Sequence, residues 1–323
     1  MIISRTPFRL SFAGGGSDLP DFFQHEEGAV LSTALNKYMY ITVNKRFDHT
    51  IRLSYSKTEI VETADNIHHP IFKYVLKKYV PGGGVELISM ADIPSGTGLG
   101  SSSSFTVGVL HALQGYLGKS TEPESLAREA CEIEIDKLHE PIGKQDQYIA
   151  AYGGLQFIRF LPDGRTLVEP VRCNDQTRRE LEASCLLFYT GQTRDAKDIL
   201  SEQKKNTVSR RQDIAQMVAL AKKMKLLLEE NKGLDAFGHL LHEAWLVKKS
   251  LASNISNSHV DELYDQALKA GAWGGKILGA GGGGFLMLFC DPSRKAAVTA
   301  EMKTLRNLEV RFDSSGSKII FTE

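Results

Sequence analysis

The segment Pro94–Ser104 (PSGTGLGSSSS) does most to narrow what this chain can become. Before it, the apolar and β-branched run Val85–Met90 reads as a strand. After it, apolar residues at Phe105, Val109, Ala112, Leu113 and Tyr116 predict a helix over Phe105–Leu117. Four serines therefore stand at a helix N-terminus, where free N–H groups and the helix dipole favour an anion. Glycines, having no Cβ, let backbone N–H groups close around phosphate oxygens. No lysine follows the last glycine, so this is not a Walker A loop. Two more segments are as rich in glycine, Ala13–Asp18 (AGGGSD) and Gly279–Gly284 (GAGGGG). Ordinary turns need one or two glycines, and three such loops point to backbone that approaches a ligand. The last matches G-x-G-x-x-G at Gly279, Gly281 and Gly284, but it runs into FLMLF, a strand, where a dinucleotide fold needs a helix.

Charge points to a small partner. Lys+Arg and Asp+Glu both number 39 among 323 residues, so no global field draws in nucleic acid or an anionic membrane. The scattered cysteines Cys131, Cys173, Cys185 and Cys290 form no CxxC pair and read as reduced thiols. The N-terminus lacks a basic segment followed by a long apolar run, and no apolar stretch approaches ~20 residues. A cytoplasmic protein, monomer or homodimer, is the expectation.

The coarse pattern is two α+β domains with a cleft between them, divided as 1–168 and 169–323. In the first, Ile2–Phe12, Tyr38–Val43 and Gly153–Phe160 read as strands and Pro70–Tyr79 as a helix; Thr121 and Glu124 form a capping-box pattern. In the second, strand Cys185–Tyr189 precedes two or three long helices between Ala196 and Ala270, then strands at Phe285–Phe289 and near Val310 and Ile319. His68 and His69 read as exposed loop, and His239 and His242 as helix surface.

Two carboxylates stand out. At roughly 100° per residue, Leu126, Ala127, Ala130, Cys131, Ile133 and Leu138 form one apolar arc with Glu134 near its middle, while Glu132 lies opposite. An inward carboxylate is costly unless a cation or donors meet it. It is either a structural ion-pair member or a metal ligand. Asp146, in the loop segment GKQDQ at 143–147, is either a general base or an ordinary loop carboxylate.

In combination these segments resemble the GHMP kinase superfamily, over essentially the whole chain and in the same motif order. Arg5–Asp18 (RTPFRLSFAGGGSD) resembles its first motif, Pro94–Ser104 its second and Lys276–Phe285 (KILGAGGGGF) its third. The resemblance implies a ribosomal-S5-like N-terminal domain, a ferredoxin-like C-terminal domain, and ATP with Mg²⁺ in the cleft. It implies Asp146 as the catalytic carboxylate with Arg9 beside it to offset charge on the transferring phosphoryl group. Gly96, Gly98, Leu99, Gly100, Ser101, Ser102 and Ser103 would wrap the triphosphate, and Ser102 and Glu134 would hold the metal. The triple glycine and Tyr189–Asp195 (YTGQTRD) look most like the branch acting on a heptose 7-phosphate, whose product leads toward nucleotide-activated heptose. Substrate contacts are then expected at Gly14, Gly15, Gly16, Ser17, Asp18, Gly281 and Gly282, with Asp18 accepting from sugar hydroxyls. For the substrate phosphate, Arg194 and Lys276 are the candidate cations, although Arg194 could equally pair with Asp195 or Asp198 at the surface and Lys276 could serve ATP instead. Two rival readings are a kinase for a free sugar such as fucose, and a non-catalytic sugar sensor.

Overall fold

The first long apolar run extends over Ile2–Ala13 (β1) and pairs along most of its length with β2, Gly28–Lys45. Only the second half of β2 alternates; every residue from Gly28 to Leu35 is buried. A strand covered on both faces loses the period-two signal, which is why Tyr38–Val43 alone is predicted. At Pro7, which has no N–H to donate, the pairing jumps from Tyr38 to Leu35 and β2 bulges. The computed structural model describes residues 1–191 and 196–323.

Next come α1 (Pro20–Phe23), β3 (Ile51–Ser54), β4 (Thr58–Val61), α2 (Pro70–Tyr79) and β5 (Val85–Ala91). They lead to α3 (Ser101–Tyr116), α4 (Pro123–Cys131), α5 (Gln145–Tyr152), β6 (Leu155–Phe160) and β7 (Thr166–Pro170). One edge of β2 serves two neighbours in turn, β6 along Gly28–Thr33 and β5 along Met39–Lys45. The helix predicted from Phe105 begins at Ser101, so all four serines are helical. The capping box does not form. Pro123 sets the first turn of α4, Thr121 bonds Gln114, and Glu124 accepts from the hydroxyls of Tyr148 (3.1 Å) and Tyr152 (3.0 Å). His69 is half-buried rather than exposed, its ring 4.9 Å from that of Tyr55 and 5.0 Å from that of Phe105.

The rest of the chain forms α6 (Asp175–Ser184), β8 (Cys185–Tyr189), α7 (Ala196–Asn206), α8 (Arg211–Glu229), α9 (Leu234–Lys249) and α10 (Ser258–Lys269). It ends with β9 (Ala272–Ile277), β10 (Phe285–Cys290), α11 (Lys295–Glu301), β11 (Arg306–Asn307) and β12 (Lys318–Thr322). Four helices stand where the sequence predicts two or three. A second antiparallel sheet runs β11-β8-β10-β9. α9 lies close on β9 because Gly238 has no side chain; a Cβ there would stand 2.4 Å from that of Trp273. His242 is half-buried, stacked on Tyr264, whereas His239 is exposed. β12 leaves this half and pairs with β1, so the C-terminal strand completes the first sheet. Which edge a late strand joins depends on which edge is unpaired, a property of the folded sheet. Among the described residues all four cysteines are free, and no helix is long and apolar enough to cross a membrane.

Candidate active site

The loop after β5 turns into α3 through Gly100 in a left-handed conformation (φ 75°). The first N–H groups of such a helix have no intrahelical acceptor. Gly96, Gly98, Gly100 and Ser101 to Ser103 line a cavity of about 360 Å³ together with Gly279, Gly281 and Lys197, which is paired with Glu140 at 2.8 Å. Gly98 has to be glycine, since a Cβ there would lie 2.4 Å from the Leu278 carbonyl oxygen. Leu99 does not line this cavity. Its side chain is buried in the core, and its carbonyl accepts from the Arg9 N–H at 3.0 Å.

Behind Ser102 stands Glu134, 1% exposed. The helix carrying it changes after Cys131 from α to a π turn over Glu132–Lys137, where the N–H of Leu138 reaches five residues back to Ile133 (2.9 Å). Glu134 still points inward. Ser102 Oγ (3.1 Å), Ser103 Oγ (2.9 Å) and Gln147 Nε2 (2.7 Å) donate to it. Burial raises its carboxyl to about 7 despite these donors. Glu132 is exposed beside Lys137. A hydroxyl and a carboxylate at the mouth of a phosphate-sized loop are the hard oxygen donors that suit a hard cation. Among the described residues no group of three His, Cys, Asp or Glu side chains gathers, so most ligands of such a cation would come from phosphate oxygens and water.

Asp146 lies in the first turn of α5 rather than in a loop. Arg9, on β1, grips it side-on, with Nε to Oδ1 at 2.7 Å and Nη2 to Oδ2 at 2.7 Å. The remaining Nη1 of Arg9 donates to the Gly98 carbonyl. This pair ties β1 and the second glycine loop to α5.

On the far side of the pair opens a second cavity of about 110 Å³, sharing Arg9, Ile142, Asp146, Leu200, Gly279 and Ala280 with the first. Gly15, Gly16 and Asp18 form part of its wall. Asp18 is 3% exposed and accepts from Gly16 N (2.9 Å), Gln145 N (3.2 Å) and Gln145 Nε2 (3.1 Å). Burial first, and then the Asp146 charge, raise its carboxyl above the usual range. Gly14 and Ser17 are scaffold instead. Ser17 Oγ donates to the carbonyls of Gly14 (2.7 Å) and Ala29 (3.2 Å), and a Cβ on Gly14 would strike Ala29. Gly281 falls on the phosphate-loop side, and the Gly282 N–H is spent on Ile255 (2.9 Å). Lys276 does reach the second cavity. Arg194 lies outside the described residues.

Sequence reasoning missed four polar side chains of this cavity: Ser11, Gln145, Gln203 and Lys248. Ser11 Oγ and Gln145 Oε1 are buried and have no hydrogen-bond partner in the protein, the state of groups awaiting a polar ligand. Lys248 did carry a signal. It continues the buried row Leu241, Ala244, Trp245, where an inward lysine is as anomalous as Glu134.

Comparison with known proteins agrees with this geometry. Residues 66–154 match the family model "GHMP kinases N terminal domain" and residues 220–306 the model "GHMP kinases C terminal". The chain is 34% identical over 309 residues to a D-glycero-alpha-D-manno-heptose 7-phosphate kinase of Campylobacter jejuni, covering 91% of each protein. It is 27% identical to a bifunctional fucokinase/GDP-fucose pyrophosphorylase of Arabidopsis thaliana, covering 90% of this chain and 30% of that protein. Among solved structures, a D-glycero-D-manno-heptose 1-phosphate kinase from Bacteriodes thetaiotaomicron superposes with a TM-score of 0.83 at 25% identity, covering 100% of both chains. Two cavities meeting at one Arg–Asp pair, joined to these matches, lead to one conclusion: the chain belongs to the GHMP kinase family, whose members use ATP as a substrate, and is a homologue of heptose phosphate kinases.

Proposed function

We propose that this chain is a sugar kinase that transfers the γ-phosphate of ATP to the anomeric hydroxyl of a heptose 7-phosphate, giving the 1,7-bisphosphate on the way to nucleotide-activated heptose. The observation that carries this reading is the Arg9–Asp146 pair, which is wall to both cavities. A group there touches the phosphoryl donor on one side and the acceptor on the other. Asp146 takes two bonds from Arg9 and keeps acceptor capacity for a substrate hydroxyl. As the anomeric oxygen attacks the γ-phosphorus, its proton passes to Asp146, the bond to the β,γ-bridging oxygen breaks, and ADP leaves. An anomeric hydroxyl is more acidic than an ordinary alcohol, so the base need not be strong. Arg9 offsets charge on the transferring group, and the glycine loop with the N-terminus of α3 holds the triphosphate.

Ser102 and Glu134 are the residues that would hold Mg²⁺, which when bound neutralises charge on the β- and γ-phosphates. Asp18 and Gln145 orient sugar hydroxyls, and Lys276 supplies positive charge to the substrate cavity. We assign the protein to the cytoplasm, where ATP is at hand.

The test is a panel of acceptors incubated with ATP and Mg²⁺ while ADP release is followed. Heptose 7-phosphate should exceed the unphosphorylated heptose and L-fucose by at least ~10-fold in kcat/KM, the worth of about one charge-assisted contact. Phosphorus NMR should show the new phosphate coupled to the anomeric proton. Preference for fucose would replace this reading with a free-sugar kinase. Preference for heptose 1-phosphate would move the attacking oxygen to the other end of the sugar. Sugar binding without ADP release on any acceptor would make the protein a sensor.

A further inference from the structure

Two lysines share the substrate cavity. Lys276 projects from β9, Lys248 from α9, and they are 4% and 7% exposed. An ammonium group has three N–H donors and is strongly hydrated, so burial without a counter-charge is costly. Lys276 donates to the Phe12 carbonyl at 3.0 Å, leaving two donors without an acceptor among the described residues. Lys248 donates to the carbonyls of Ile277 (3.1 Å) and Gly279 (2.6 Å), leaving one. Among the described residues neither forms a salt bridge. The charged groups facing them across the cavity are Arg9, Asp146 and Asp18. Asp146 is engaged by Arg9, and Asp18 is surrounded by Gly16 and Gln145. The substrate cavity therefore holds two lysines with three N–H donors unused and, among the described residues, no carboxylate bonded to either.

We propose that Lys248 and Lys276 form a specificity-determining anion clamp for the phosphate the sugar brings with it. This rests on the sugar-phosphate kinase reading and adds the residues that decide between a phosphorylated and a free sugar. A phosphate dianion supplies acceptors for the three spare N–H groups and the missing charge. Without it, burial holds Lys248 down to about 7, with the nearby Arg9 adding to the effect; burial, Lys248 and Arg9 hold Lys276 well below the usual lysine range. The dianion restores the ammonium forms, so binding of the sugar phosphate takes up protons from solution.

The experiment compares wild type, Lys248→Met and Lys276→Met on a heptose 7-phosphate and on the same heptose without phosphate. Each variant should lose ~10–100-fold in kcat/KM for the phosphorylated sugar. The free sugar and the KM for ATP should change by less than about threefold, less than half of one tenfold step in affinity. Lys276→Arg should restore part of the loss. Equal losses on both sugars would overturn the clamp and put the lysines on the transferring phosphoryl group or in the scaffold. Wild-type preference for the phosphorylated sugar that survives in both variants would also overturn it, while leaving the sugar-phosphate reading intact. Absence of that preference in wild type would end both. Calorimetry of wild type at pH 8, in buffers of different ionisation enthalpy, needs no variant to fold. Titration with the heptose 7-phosphate should show net proton uptake, and no uptake, or release, would count against the clamp.

Discussion

The two cavities that meet at Arg9 and Asp146 are built in opposite ways. The phosphate-loop cavity takes its floor from one stretch of chain, Gly96–Ser103, which offers backbone N–H groups, hydroxyls and one carboxylate behind them. It is closed by residues from Glu140–Asp146, Lys197–Leu200 and the third glycine loop. The substrate cavity is walled by side chains from distant elements: Ser11 on β1, Asp18 after it, Gln145 on α5, Gln203 on α7, Lys248 on α9 and Lys276 on β9. A triphosphate is the same in every cycle, and main-chain donors on a helix terminus suffice for it. A sugar is distinguished by where its hydroxyls and charges lie, so its site needs side chains placed individually. One cavity has a local motif at its centre, the other is assembled from separate elements throughout.

The largest expected effect falls where the two cavities join. Asp146→Asn keeps the shape but cannot take a proton, and kcat should fall by ~10²–10⁴ while the KM values for ATP and sugar stay near wild type. Full turnover in that variant would remove Asp146 from the chemistry and leave the boundary between cavities without a base.

Next comes a residue of the phosphate side alone. Glu134→Gln should raise the Mg²⁺ concentration for half-maximal activity by at least ~10-fold, whereas exposed Glu132→Gln should leave it nearly unchanged. Equal effects would remove Glu134 from the metal site. The same carboxyl makes a stability prediction for the metal-free protein. Its folded-state pKa of about 7 lies above the ordinary 4.5, so the folded chain holds this proton more tightly than the unfolded one. The resulting stabilisation is fully present below about pH 4.5 and is lost as pH rises through 7, by on the order of 3 kcal/mol. At pH 8 without metal, Glu134→Gln should therefore melt above wild type, and the gap should close at pH 4.5. A gap that widens toward acid pH would contradict burial as the cause.

The smallest effect separates backbone shape from backbone strain. Gly284 (φ 87°) supports the phosphate loop from behind, where a Cβ would stand 2.5 Å from the Thr97 carbonyl oxygen. Gly164 (φ 86°) lies in the turn between β6 and β7, with nothing within 4 Å of such a Cβ. Alanine at either site carries ~1–2 kcal/mol of left-handed strain. Gly284→Ala should in addition raise the KM for ATP by ~3–10-fold, about one tenfold step in affinity, and Gly164→Ala should not. Unchanged ATP kinetics in both variants would show that the third glycine loop does not shape the second.

Much of this was legible beforehand, for identifiable reasons. Strand, glycine loop and serine-capped helix are contiguous, so their periods and turn residues lie side by side in the sequence. Glu134 was legible because an inward carboxylate breaks an apolar arc, and the π turn did not rotate it outward. The buried half of β2 was hidden by its lack of alternation. Ser17 and Leu99, expected at the site from their motifs, are buried and line neither cavity, because motif membership does not say whether a residue faces the ligand or supports its neighbours. Asp146 was placed in a loop because the helix that carries it is only eight residues long, too short for a clear period.

By itself the sequence determined the chemical class: a phosphate loop at a helix terminus, a carboxylate behind it, and an Arg and an Asp that local chemistry could not yet pair. Only the tertiary structure decided that Arg9 and Asp146, 137 residues apart, form the wall common to both cavities. It also decided that Lys248 and Lys276 are buried on the substrate side. Phosphate binding uses groups repeated along the backbone, so proximity in sequence is proximity in space. Substrate recognition uses side chains whose directions are fixed by sheet pairing and helix packing, and those long-range contacts bring together residues that no local pattern relates.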